Sequence, residues 1–220
     1  MSARKQFEEE LEELKTELVE MCRLTADMIA KAIDALVRFD RELGHSLGET
    51  DKRVDEYEMD IEKRCMRILI RRQPVAKDFR EVSTALKMIT DMERIGDQAE
   101  DIAEIVAFLD GRQAENDALL KEMAKAVIQM VTESVDAYVK CDIMLAKKVI
   151  AADDVVDEQF ARVKQSLIGK IAADPADGEY ALDLLMIAKY YERIGDHATN
   201  IAEWVIYSVT GTHKDEITLT

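Results

Sequence analysis

The 220-residue chain is short of the residues that interrupt helices, with 8 glycines and 2 prolines. Loop-rich, collagenous and low-complexity chains carry far more of both, so a mostly helical protein is favoured. Cysteine is equally scarce. Cys22, Cys65 and Cys141 stand far apart, in odd number and without C-x-x-C spacing, which excludes a disulfide framework or a zinc knuckle and points to a reducing compartment. No stretch approaches the roughly 18 apolar residues that cross a bilayer. The start, Met1-Ser2-Ala3-Arg4-Lys5, runs into acidic residues rather than the apolar core of a secretory signal. A cytoplasmic protein without membrane insertion is expected. Positive charge is also in deficit, with 30 Lys and Arg against 46 Asp and Glu and a formal net charge of −16. Wrapping of a nucleic-acid phosphate backbone is thereby excluded, leaving cations and basic proteins as natural partners.

What the chain does have is helical period. Leu11, Leu14, Leu18, Cys22, Thr25, Met28, Ala32 and Leu36 recur every three or four residues, the spacing that buries one face of a long helix. The same period runs through Ile61 to Ile70, Val82 to Leu109, Met123 to Ile150, Phe160 to Ile171 and Leu182 to Val209. Breaks are expected near Gly44 to Glu49, Pro74, Asp110 to Asn116, Ala152 and Pro175, giving six long helices. Met21, Met28, Met59, Met66, Met88 and Met92 sit at helical spacing and are expected to fill the core, with Trp204 in core or groove.

The helices fall into two copies of one unit. The segment Ile33 to Asp40 aligns with Val135 to Asp142 at an offset of 102, which Asp51, Asp55 and Glu56 keep to Asp153, Asp157 and Glu158. Glu93-Arg94-Ile95-Gly96-Asp97 recurs letter for letter as Glu192-Arg193-Ile194-Gly195-Asp196, and Ile102-Ala103-Glu104 matches Ile201-Ala202-Glu203, at an offset of 99. The second copy is therefore three residues shorter, around its proline-bearing turn. An identical run of this length has a chance probability of about 1 in 3 million per register, so duplication is the simple explanation. The expected fold is all-α, a tandem repeat of two three-helix bundles: residues 1–110, residues 117–210, and a tail over 211–220, with the hinge at Asp110 to Asn116.

Both copies carry paired carboxylates. Glu93, Asp97 and Asp101 stack four residues apart on one helix face, and Asp51 and Asp55 form a second row on the preceding helix. In the second copy Asp153 and Asp157 stand against Glu192 and Asp196, with Asn200 where Asp101 was. Carboxylates converging without a compensating Lys or Arg either hold protons or bind a cation, and oxygen ligands suit hard or borderline metals, with room for more than one ion per cluster. A lone D-x-x-x-D is usually a solvated pair; here two such motifs recur in both copies. Gly96 and Gly195 add to this, because a mid-helix glycine costs about 1 kcal/mol against alanine and marks a close backbone approach.

These motifs resemble the PhoU family, the regulators associated with bacterial phosphate transport, over nearly the whole chain. The resemblance implies two three-helix bundles bearing a repeated E(D)-x-x-x-D signature, which in some members binds multinuclear iron or zinc clusters. The signature falls on Glu93, Asp97 and Asp101 with Asp51 and Asp55 facing them, and on Asp153, Asp157, Glu192 and Asp196. Asn200 departs from it, implying a weaker or smaller second site. The resemblance further implies a negative regulator, linking a phosphate ABC transporter ATPase subunit to a sensor histidine kinase and holding the starvation response off when phosphate is plentiful. Accessory proteins of phosphate carriers share such domains, and a homodimer through leftover apolar faces is expected.

Other readings have less behind them. A di-iron carboxylate enzyme needs paired Glu-x-x-His motifs, and Glu42 to His45 stands alone. No serine or cysteine comes with a base, and no G-x-x-x-x-G-K loop exists, so no enzyme is expected. A scaffold with merely solvated acidic rows is the remaining alternative. His197, beside the second motif, is expected to be a polar neighbour. Lys63, Arg64, Arg67, Arg71 and Arg72 form a basic stripe that either complements a helix dipole or receives an acidic partner.

Overall fold

The structure, a computed structural model, describes residues 3–38, 40–109 and 118–212. Among these are six long helices and one short one: α1 (Ala3–Arg38), α2 (Arg41–His45), α3 (Leu47–Arg72), α4 (Lys77–Phe108), α5 (Ala118–Lys140), α6 (Ile143–Ala173) and α7 (Gly178–Thr210). A single 3₁₀ turn, Pro175–Asp177, joins α6 to α7. The expected hinge at Asp110 to Asn116 and most of the expected tail lie outside the described residues.

The first repeat is α1 to α4 and the second α5 to α7. In each, the outer helix, α3 or α6, leans on its two neighbours, while α1, α4, α5 and α7 pack around the middle, with α1 on α5 and α4 on α7. The two repeats thus share one apolar core, from Leu14, Leu18 and Met28 on α1 through Ile61, Met88 and Ile95 to Val131, Ile187 and Tyr191. Each fully buried Leu, Ile or Met contributes about 1.5–3 kcal/mol, which is why the apolar stripes dominate helix formation. Polar ties also cross between the repeats, among them the buried Tyr138 hydroxyl, which donates to the Glu81 carbonyl at 2.9 Å.

The helix breaks differ from the spacing in instructive ways. No interruption occurs near Ala152, which lies inside α6. The break falls at Cys141 and Asp142. Cys141 adopts φ 53, the N–H of Cys141 bonds the Tyr138 carbonyl at 3.1 Å, and that of Asp142 bonds the Ala137 carbonyl at 2.9 Å. This is the left-handed helix ending normally given to glycine. Asp142 then caps α6 by accepting from the N–H groups of Met144 and Leu145. Its counterpart Asp40 bonds the Ala35 carbonyl at 3.0 Å and caps α2 by accepting from Leu43 N. Likewise Gly44 to Glu49 is no loop; only Ser46 separates α2 from α3, so α3 begins well before Ile61. Met21, Met28, Met88 and Met92 are in the core, but Met59 and Met66 are 48% and 47% exposed. Their spacing puts them on the outer side of α3, which has no helix packed over it.

Candidate functional site

Each repeat presents an acidic face where its outer helix meets the helix that follows. In the first, Asp51 and Asp55 on α3 meet Glu93 and Asp97 on α4 across Gly96. A Cβ on Gly96 would lie 3.1 Å from Asp51 Oδ1 and 3.4 Å from Val54 Cγ1, so the glycine is what lets α3 and its carboxylate approach. Asp51 Oδ1 is buried with no hydrogen-bond partner. Burial, then the charges of Glu100, Asp55, Asp97 and Glu93, push the Asp51 carboxyl up to about 7. Burial and the neighbouring acids raise Glu93 too.

Two further carboxylates belong to this face. Glu58 is pushed up by burial and by Asp55, and Glu100 by burial and by Glu104, Asp97, Asp101 and Asp55. Each stands three residues beyond a motif aspartate, the other spacing that shares a helix face, so the signal was present in the sequence. Asp101, by contrast, turns to the second repeat: burial raises its carboxyl, and a hydrogen bond from the Tyr190 hydroxyl opposes that rise.

The second face repeats the plan with fewer acids. Burial and the charges of Asp196 and Asp157 raise Asp153; burial and Glu192 raise Asp196. A Cβ on Gly195 would meet Asp153 Oδ1 at 3.5 Å, an ordinary contact. Phe160 and Thr199 occupy the positions of Glu58 and Glu100. Asn200 is not part of this face. Its Nδ2 donates to Asp91 Oδ1 at 3.2 Å, and His197 Nδ1 lies 2.9 Å from the same oxygen. Asp91 aligns with Tyr190 and Asp101 with Asn200, so these interactions are symmetry counterparts across an antiparallel α4–α7 pair.

Neither face lacks cations, contrary to expectation. Arg94 lies 3.0 Å from Asp97 and 3.4 Å from Glu93, and Lys189 bonds Glu192. Both are at the exposed rim, and the buried Asp51 Oδ1 stays without a partner. Among the described residues, no three His, Cys, Asp or Glu side chains are gathered closely enough to hold a metal ion. The donor chemistry nevertheless suits one: an unpartnered buried carboxylate oxygen, raised acids around it, and a glycine that opens the space. No catalytic thiol is available in the core, since burial pushes Cys22 and Cys65 up to about 12.

The PhoU domain is matched twice, over residues 18–106 and 120–205. The chain belongs to the PhoU family. A phosphate-specific transport system accessory protein PhoU homolog of Clostridium acetobutylicum is 35% identical over 216 residues, covering 96% of this chain and 98% of that protein. One from Aquifex aeolicus is 38% identical, covering 84% of each. The crystal structure of PhoU from Pseudomonas aeruginosa superposes with a TM-score of 0.88 at 35% identity, over 94% of this chain and 100% of that one. Both acidic faces lie inside PhoU domain matches. Among the described residues no helix is long and apolar enough to cross a membrane.

Proposed function

We propose that this PhoU-family protein is a non-catalytic cytoplasmic regulator of phosphate uptake and of phosphate-starvation signalling. It acts as an adaptor between a phosphate ABC transporter ATPase and a sensor histidine kinase and represses the response when phosphate is plentiful. Support comes from relatives named as accessory proteins of phosphate-specific transport that match nearly end to end. The observation that carries the mechanism is the twice-built acidic face centred on a glycine.

In that mechanism Asp51, Asp55, Glu93 and Asp97, with Glu58 and Glu100 on the same face, would hold metal ions, iron or zinc, as would Asp153, Asp157, Glu192 and Asp196. When bound, the cation would supply positive charge at the inner acids that the rim cations Arg94 and Lys189 do not provide. The residues themselves then draw α3 toward α4, and α6 toward α7, fixing the surface that partners meet. A homodimer is the expected assembly.

The test is a phosphate-starvation reporter in phosphate-replete cells with and without this gene. Derepression on deletion, restored by the intact protein, is expected. A silent reporter with normal transport would move the role to a carrier accessory or a scaffold. Separately, Asp97→Ala with Asp196→Ala is expected to strip metal from the purified protein; unchanged metal content would overturn the cation sites without touching the regulator.

A further inference from the structure

We propose that the outer face of α3, over its C-terminal half, is a docking surface for an acidic amphipathic helix of a partner protein. The chain carries a net charge of −16, yet Lys63, Met66, Arg67, Ile70 and Arg71 line one shallow groove in which Glu62 is the single acid. The groove joins a second at Arg71, which continues past Pro74 to Val75, where its one acid, Asp78, is ion-paired with Arg4. Met66, Ile70 and Val75 are 47%, 70% and 75% exposed. An apolar ridge flanked by cations therefore runs along the surface of an otherwise acidic protein.

The basic residues of α3 divide into two groups. Arg64 hydrogen-bonds Glu17 and Glu13, and Arg72 hydrogen-bonds Glu10, so both brace α3 against α1. Arg67 and Arg71 form no ion pair among the described residues, and Lys63 has Asp60 of its own helix. A helix dipole acts over the last turn, so it accounts for Arg71 and Arg72 but not for Arg67. Nor does it account for exposed Met66 and Ile70.

Positions 63, 66, 67, 70 and 71 are spaced as one stripe, about 12 Å long. Its complement is a second helix with apolar residues at i, i+3 or i+4, and i+7, flanked by Asp or Glu. Self-docking through the stripe is disfavoured, because a two-fold contact would set Arg67 and Arg71 against their own copies. An anionic membrane is disfavoured because the rest of the chain is repelled by it, whereas a peptide lying along the stripe stays within a Debye length of these cations. The proposal does not rest on the metal sites.

The probe is a labelled synthetic helix of about 18 residues with a leucine stripe flanked by glutamates, followed by fluorescence anisotropy. A twin with lysines in place of glutamates serves as control. The intact protein is expected to bind the glutamate peptide and not the lysine one. Arg67→Glu with Arg71→Glu is expected to weaken binding at least about tenfold, and Arg67→Gln with Arg71→Gln to weaken it less, with circular dichroism unchanged in both. Absence of glutamate-peptide binding, equal binding of the twins, or indifference to these substitutions would overturn the proposal. Phosphatidylserine vesicles bound in place of the peptide would assign the face to a membrane. Self-association abolished by the same substitutions would assign it to a second copy.

Discussion

Gly96 stands so close to Asp51 that a side chain on the glycine would meet the carboxylate at 3.1 Å, while the corresponding distance from Gly195 to Asp153 is 3.5 Å. The two positions are identical in local sequence and differ in what they tolerate. Alanine in mid-helix gains about 1 kcal/mol over glycine where there is room. Gly195→Ala is expected to stabilise by up to that amount. Gly96→Ala is expected to gain less or to destabilise, because Asp51 and Val54 must give way. Denaturant melts of the two variants would check this ordering.

The Asp51 carboxyl sets a pH dependence. Its value of about 7 lies above the ordinary 3.8, so between these limits the folded protein holds a proton that the unfolded chain releases. Stability therefore falls as pH rises through this window, and the raised Glu58, Glu93 and Glu100 act in the same direction. Asp51→Asn is expected to melt higher than the parent at pH 8, with the gain vanishing near pH 4. Thermal melts in chelator across that range test the sign.

Two tyrosines predict opposite outcomes for one substitution. The Tyr138 hydroxyl donates to the Glu81 carbonyl, whereas the Tyr191 hydroxyl is fully buried without a partner. Tyr138→Phe is expected to destabilise by about 1 kcal/mol, and Tyr191→Phe to stabilise by a similar amount, since an unsatisfied buried hydroxyl costs about 1–3 kcal/mol. Equilibrium unfolding in urea measures both.

Cys141 occupies a left-handed helix ending at φ 53. Cys141→Gly is expected to stabilise by about 1 kcal/mol, since glycine adopts that conformation without a Cβ clash. Cysteine-reactive labelling would confirm the substitution, and a melt its effect.

Most of the fold was legible because apolar period and internal repetition are written in many residues at once. The six long helices follow from stripes such as Leu11 to Leu36, and the duplication from the two copies of Glu-Arg-Ile-Gly-Asp. Helix ends were less legible, since one polar side chain decides them. Asp40 and Asp142 cap their helices, while Ala152 and Gly44, which read as breakers, lie within helices. At the site, spacing of four found Asp51, Asp55, Glu93 and Asp97 but passed over Glu58 and Glu100 at spacing of three. It also credited Asp101 and Asn200 to the acidic faces. Their side chains belong to the α4–α7 seam, a pairing of distant segments that one helix's period does not contain.

That seam joins the two halves through their acidic helices. On α4, Asp91 and Asp101 bracket Glu93 and Asp97, and both reach across to α7; there Tyr190 and Asn200 bracket Glu192 and Asp196. Any roll of α4 that swings its acids toward α3 pulls on ties at both ends of the acidic segment, and those ties end within about one turn of the acids on α7. The ends of both acidic segments are thus held by side chains of the opposite repeat, so that each face is framed in part by residues from the other half.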